Sequence, residues 1–143
     1  LSGRVEAELR ERAEEALAWT GASALINSKP SELSYPDSKR VSLARALVAT
    51  PKLLLLDEPA AGLGQDDIDA LAALIKEIKR RCAVLIVEHH VDFVREISDS
   101  VTVLNFGKSI ATGTYDEIKQ NPAVVEAYLG NSDKNDQNSD WIA

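Results

Sequence analysis

Two apolar runs without alternation, Leu53-Leu54-Leu55-Leu56 and Ala83 to Val87, constrain this chain more than any other feature. A strand with one wet face alternates apolar and polar residues. A run that is apolar at every position expects cover on both faces, as in a parallel sheet. Between the two runs, Ile68, Leu71, Leu74, Ile75 and Ile78 recur at helical spacing within Gln65 to Arg80. Strand, helix and strand make a βαβ unit, whose strands are expected to be parallel with a right-handed crossover. Their carboxyl ends then share one edge of the sheet, the edge where open α/β sheets bind ligands. The fold class read from this unit is α/β.

The rest of the chain fits around it. Val5 to Trp19 reads as a helix with Leu9, Ala13, Ala16 and Leu17 on one stripe, and Gly21 as its stop. Residues 22–33 read as irregular, with Pro30 inside. A second helix is expected from Pro36 and Asp37 to about Thr50, since proline suits a first helical turn. After the βαβ unit come a short helix over His90 to Ile97 and a hairpin of Ser100 to Asn105 with Lys108 to Thr112 around Phe106-Gly107. Short helices are expected near Tyr115 to Gln120 and Pro122 to Leu129. The polar, aperiodic stretch from Asn131 to Ala143 reads as a disordered tail. The organisation expected is therefore one domain over residues 1–130 and a tail over 131–143.

Composition excludes several functions. The formal net charge of −7 argues against a site for bare nucleic-acid backbone. The single cysteine, Cys82, excludes an internal disulfide and a cysteine-rich metal site, fits a cytosolic compartment, and reads as a core residue. No apolar run approaches the roughly 20 residues that a membrane span needs, so no direct membrane insertion is expected. The 143 residues contain no methionine and begin at Leu1, which reads as a fragment or a processed product.

The chemistry gathers at the shared strand edge. Asp57 and Glu58 follow the first apolar run; Glu88 and His89 follow the second. This placement can bring two or three carboxylates and an imidazole into one crevice. Buried leucines leading into adjacent acids form the Walker B pattern of phosphate-hydrolysing enzymes. One carboxylate there can hold Mg2+ through water, while the other orients or deprotonates the attacking water. The plain alternative is that Asp57-Glu58-Pro59 only ends a strand at a turn. Glu88-His89-His90 lacks the i, i+4 spacing of a zinc helix, so no other metal is assigned.

The order of motifs goes further. Leu33-Ser34-Tyr35 precedes the second helix, and Arg40 to Ala46 reads RVSLARA. Pro51-Lys52 leads into LLLLDEPAAGL, and LIVEHH follows about thirty residues later. This resembles the ATPases of ABC transporters, with signature motif, Walker B, D-loop and H-loop in that order. VTVLNFGKSIATGT and VVEAYLG look most like the branched-chain amino acid and urea uptake branch. The resemblance implies the C-terminal part of a P-loop NTPase domain, an ATP-hydrolysing subunit of an importer, with ATP and Mg2+ as cofactors. It implies a head-to-tail dimer with a second ABC ATPase subunit, membrane permease partners, and a cytoplasmic place at the inner face of the membrane. By motif, Asp57 matches the Mg2+-associated aspartate, Glu58 the catalytic glutamate, and His89 the histidine that contacts the γ-phosphate. Ser34 matches the signature serine, which reaches the nucleotide of the partner subunit. A serine at a helix N-terminus is a natural phosphate site, and equally a simple N-cap.

Gly107-Lys108-Ser109 looks like the end of a Walker A motif, but Thr102 stands at the first glycine and a strand pattern follows, so Lys108 is expected in solvent. A Walker A sequence does not occur in these residues. Pro36 stands where the family has the signature glycine, Asp37 replaces the following Gln or Glu, and Gly64 replaces the polar residue ending the D-loop. These departures favour a second reading, a degenerate, non-catalytic ABC-like interaction module; Glu58 and His89 favour the ATPase.

Overall fold

The structure is a computed structural model describing residues 3–129 and 141–142. Helix α1 spans Gly3–Trp19 and α2 spans Tyr35–Leu47, joined by two single 3-10 turns, Ser23–Leu25 and Pro30–Glu32. Strand β1 (Leu53–Asp57), helix α3 (Gln65–Ile78) and strand β2 (Ala83–Glu88) form the expected βαβ unit. Then follow α4 (Val91–Ile97), β3 (Val101–Asn105), β4 (Lys108–Gly113), α5 (Tyr115–Ile118) and α6 (Pro122–Val124). Val125–Leu129 continues α6 as a π-helical turn.

Local chemistry sets the helix ends. Gly21 has φ +68, and Ala22 N–H donates to the Leu17 carbonyl while Gly21 N–H donates to that of Ala18. That pair of bonds closes α1 as a Schellman motif, which the left-handed glycine permits. Helix α2 begins one residue before Pro36, because the Ser34 side chain caps it by accepting from the Asp37 N–H at 3.2 Å. Thr114 and Glu117 form a capping box on α5, and the Thr114 backbone N–H and hydroxyl hold the Glu117 carboxyl below the usual carboxylate range.

Strands β1 and β2 are parallel, in register from Leu53 with Ala83 to Asp57 with Val87. The hairpin is as read from the sequence, with Phe106 at φ +47 and Gly107 at φ +74 in the turn. Lys108 lies in β4 and is exposed. With Trp141–Ile142 as β5, the sheet order is β1-β2-β5-β3-β4.

Two expectations are corrected. Of the tail over 131–143, residues 131–140 and 143 lie outside the described residues. Trp141–Ile142 is not irregular but strand β5, antiparallel to both β2 and β3. Its backbone groups find partners between two strands that otherwise present unpaired ladders to each other. The second correction concerns cover. Leu54 and Ile86 are buried against the helices, but Leu53, Leu55 and Leu85 on the opposite face are 52%, 65% and 44% exposed. Helix α3 follows β1 onto one face of the pair, and the described residues do not bury the other.

The main core joins Leu43 and Leu47 of α2, Leu54, Ile68, Ile75 and Ile78 of the βαβ unit, and Phe93 and Ile97 of α4. A smaller cluster joins Val94 to Val101, Val103, Ile118 and Val124. Helix α4 thus feeds both, Phe93 to one and Val94 to the other. Cys82 packs at the edge of the main core, as expected. Among the described residues, no helix is long and apolar enough to cross a membrane.

Candidate functional site

The site begins where β1 stops. Asp57 ends the strand, exposed on the same uncovered face as Leu53 and Leu55. Glu58 then turns the chain with φ +43, a left-handed conformation rare for a residue with a side chain. Its N–H donates to the Val87 carbonyl at 2.8 Å, which fastens the turn to β2. Strand β2 ends beside it, and His89 Nδ1 lies 3.3 Å from Glu58 Oε1. The pair is about half exposed, so it is accessible to a ligand. The parallel register thus gathers Asp57, Glu58 and His89 at one strand edge, as the sequence led one to expect.

Glu88 behaves differently from the other acids at this edge. Its side chain is buried, at 1% exposure. Oε1 accepts from the Ala60 N–H at 2.8 Å; Oε2 accepts from the N–H groups of His89 at 3.0 Å and His90 at 3.1 Å. His90 caps α4, its Nδ1 accepting from the Phe93 N–H at 3.2 Å.

The signature residues form a second group. The Ser34 hydroxyl donates to Asp37 Oδ2 at 2.7 Å while accepting from the Asp37 N–H. Asp37 Oδ1 lies 3.4 Å from Arg40, which reaches Asp67 of α3 at 3.2 Å. Tyr35 connects this group to the first, its hydroxyl donating to the Ala61 carbonyl at 3.0 Å. Pro36 and Asp57 both line one groove of about 790 Å³, together with Trp19, Arg40, Leu55 and Leu74. Ser34 and Asp37 are bonded to each other rather than to Glu58 or His89. The sequence reading assigned no role to Tyr35, Arg40 or Ala60; the only signal at Glu88 was an acid ending a buried strand.

Among the described residues, no three His, Cys, Asp or Glu side chains converge as a metal cage. Mg2+ in general keeps waters and takes one or two carboxylates together with substrate phosphates. Asp57 is the exposed carboxylate on the open face and can serve as such a ligand.

Comparison with known proteins places this geometry. A model of the ABC transporter family matches residues 3–61, and one described as branched-chain amino acid ATP-binding cassette transporter matches residues 108–134. The high-affinity branched-chain amino acid transport ATP-binding protein LivG of Salmonella typhimurium is 40% identical over 129 residues, 89% of this chain and 51% of LivG. BraF of Pseudomonas aeruginosa, with the same description, is 38% identical over 129 residues, again 89% of this chain and 51% of BraF. A crystal structure of the ADP conformation of an ATP-binding cassette of an ABC transporter superposes with a TM-score of 0.78 at 33% identity, covering 86% of this chain and 50% of that one. The chain thus spans about half the length of the curated relatives it matches. In sequence and in fold the chain is thus similar to the ATPases of ABC transporters.

Proposed function

We propose that this chain forms the signature, Walker B and H-loop part of an ATP-hydrolysing subunit of an ABC importer for a small solute of the amino acid or urea type. The observation that carries the reading is the Glu58–His89 pair at 3.3 Å beside the exposed Asp57. ATP and Mg2+ are the cofactors. Bound Mg2+ supplies charge neutralisation on the transferring phosphoryl group. Asp57 holds the ion through water. Glu58 orients the attacking water and accepts its proton, and His89, set by its contact with Glu58, faces the terminal phosphate. Ser34 and the first turn of α2 face the nucleotide of a second ABC ATPase subunit in a head-to-tail dimer. Membrane permease subunits receive the work, at the cytoplasmic face of the membrane.

A Walker A-bearing half completes the subunit. The exposed leucines of β1 and β2 support this, because Leu53, Leu55 and Leu85 together form an apolar face that water does not favour. The second reading, a non-catalytic interaction module, draws on one specific observation: both oxygens of Asp37 are taken up by Ser34 and Arg40, next to a proline that lacks an N–H. The deciding experiment joins this chain to the upstream half of LivG and measures ATP binding and hydrolysis. Turnover that Glu58→Gln abolishes, with ATP binding retained, supports the ATPase. ATP binding without any turnover in the parent protein supports the module.

A further inference from the structure

We propose that Glu88 is the positioning residue of this site: its buried carboxylate fixes the loop carrying Glu58 against the loop carrying His89. The proposal rests on the ATPase reading of those two residues for its function, but not for its geometry. Three backbone donors from two loops converge on one side chain, Ala60 N–H on Oε1 and His89 and His90 N–H on Oε2. A carboxylate suits this arrangement, since both oxygens only accept. Ala60 is two residues beyond Glu58, whose own N–H is tied to Val87, the neighbour of Glu88. The turn at Glu58 is therefore pinned on both sides to the end of β2. A positive φ at a glutamate persists only where its surroundings enforce it, and Glu88 supplies one of those two tethers. The same side chain holds the first two residues after β2, so Glu58 and His89 take their relative position from it.

Glutamine at this place keeps the volume but turns one oxygen into a donor group, so at least one N–H among the three loses its acceptor. Aspartate keeps the carboxylate on a stem shorter by one methylene and cannot reach both loops. The test is amide NMR of the full 143-residue chain. In Glu88→Gln, the Ala60, His89 and His90 signals are expected to move. Ala60 exchange with solvent should accelerate about ten-fold, the equivalent of one ordinary hydrogen bond. The contact between the His89 ring and the Glu58 side chain should be lost, while signals of α1 and α2 stay in place. Glu88→Asp is expected to lose the same contact, and it decides the matter if Glu88→Gln does not fold. Persistence of the Glu58–His89 contact in either folded variant overturns the proposal, and so does failure of both variants to fold, which would make Glu88 purely structural. In the protein completed with the LivG half, Glu88→Gln should lower kcat at unchanged KM for ATP; a rise in KM at constant kcat overturns it. If Glu58→Gln there leaves turnover intact, the ATPase reading fails while the NMR result still judges Glu88.

Discussion

The Tyr35 ring lies against Gly62: a Cβ built on that glycine would stand 3.0 Å from Tyr35 Cε1. Gly62 also has φ +75, and the Tyr35 hydroxyl bonds the preceding carbonyl, that of Ala61. The first turn of α2 and the loop after β1 are thus in contact. Gly62→Ala should destabilise the chain by about 1–3 kcal/mol, through left-handed strain and a side-chain clash together. Urea unfolding reads this directly. In a Tyr35→Ala background the clash vanishes and the cost should fall to the strain alone. Equal stability of Gly62→Ala and the parent would mean that the two loops are not fastened this way.

A second contact ties α1 to the turn between α3 and β2. The Arg81 guanidinium carbon lies 3.2 Å from the Trp19 ring centroid. Arg81→Ala should cost about 0.5–1 kcal/mol, the usual size of a cation–π contact at a wet site. Thermal melts at low and high salt give the check. A loss that disappears entirely in high salt would assign the effect to simple charge instead.

The βαβ unit was legible because Ile68, Ile75 and Ile78 recur at helical spacing and are all buried on one side of α3. The hairpin was legible because Phe106-Gly107 is a turn pair. Asp57, Glu58 and His89 were legible as strand-end residues that a parallel register must bring together. Cover on both faces of β1 and β2 was read from four successive leucines, and Leu53 and Leu55 are exposed instead. The pattern records what a strand requires, and the described helices satisfy only one face of it. The role of Glu88 was hidden for another reason. Its partners are the backbone N–H groups of Ala60, His89 and His90, and a backbone donor leaves no mark in the sequence. Strand β5 has two residues, too few for any period to show.

Residues 1–143 alone should bind Mg-ATP no more tightly than about 1 mM. Successive backbone N–H groups form the concave anion site that cradles phosphates in P-loop proteins. Here the one Gly-Lys-Ser stretch opens β4 of a hairpin. The Ser34 hydroxyl is already bonded to Asp37. Isothermal calorimetry with the chain at high concentration measures it. Micromolar affinity would require a phosphate site elsewhere in these residues.

On the proposed reading Pro36 stands at the signature glycine, and its setting separates fold from function. The capping bond of α2 runs from the Asp37 N–H to Ser34, so Pro36 withholds no donor that the helix uses. What it withholds is a donor for a ligand: proline has no N–H, and Pro36 lines the groove that Asp57 also lines. A hydrogen bond to a charged group contributes about 1.5–3 kcal/mol, ten- to a hundred-fold in an equilibrium. In the protein completed with a Walker A half, Pro36→Gly should therefore raise ATP-driven dimerisation and ATPase rate by about that factor. Stability should fall by no more than about 1 kcal/mol, the entropy that proline removes from the unfolded chain. Sedimentation with and without ATP, turnover and a urea melt test the three parts. If dimerisation and turnover stay at the parental level while the fold is intact, the first turn of α2 does not meet nucleotide across the dimer.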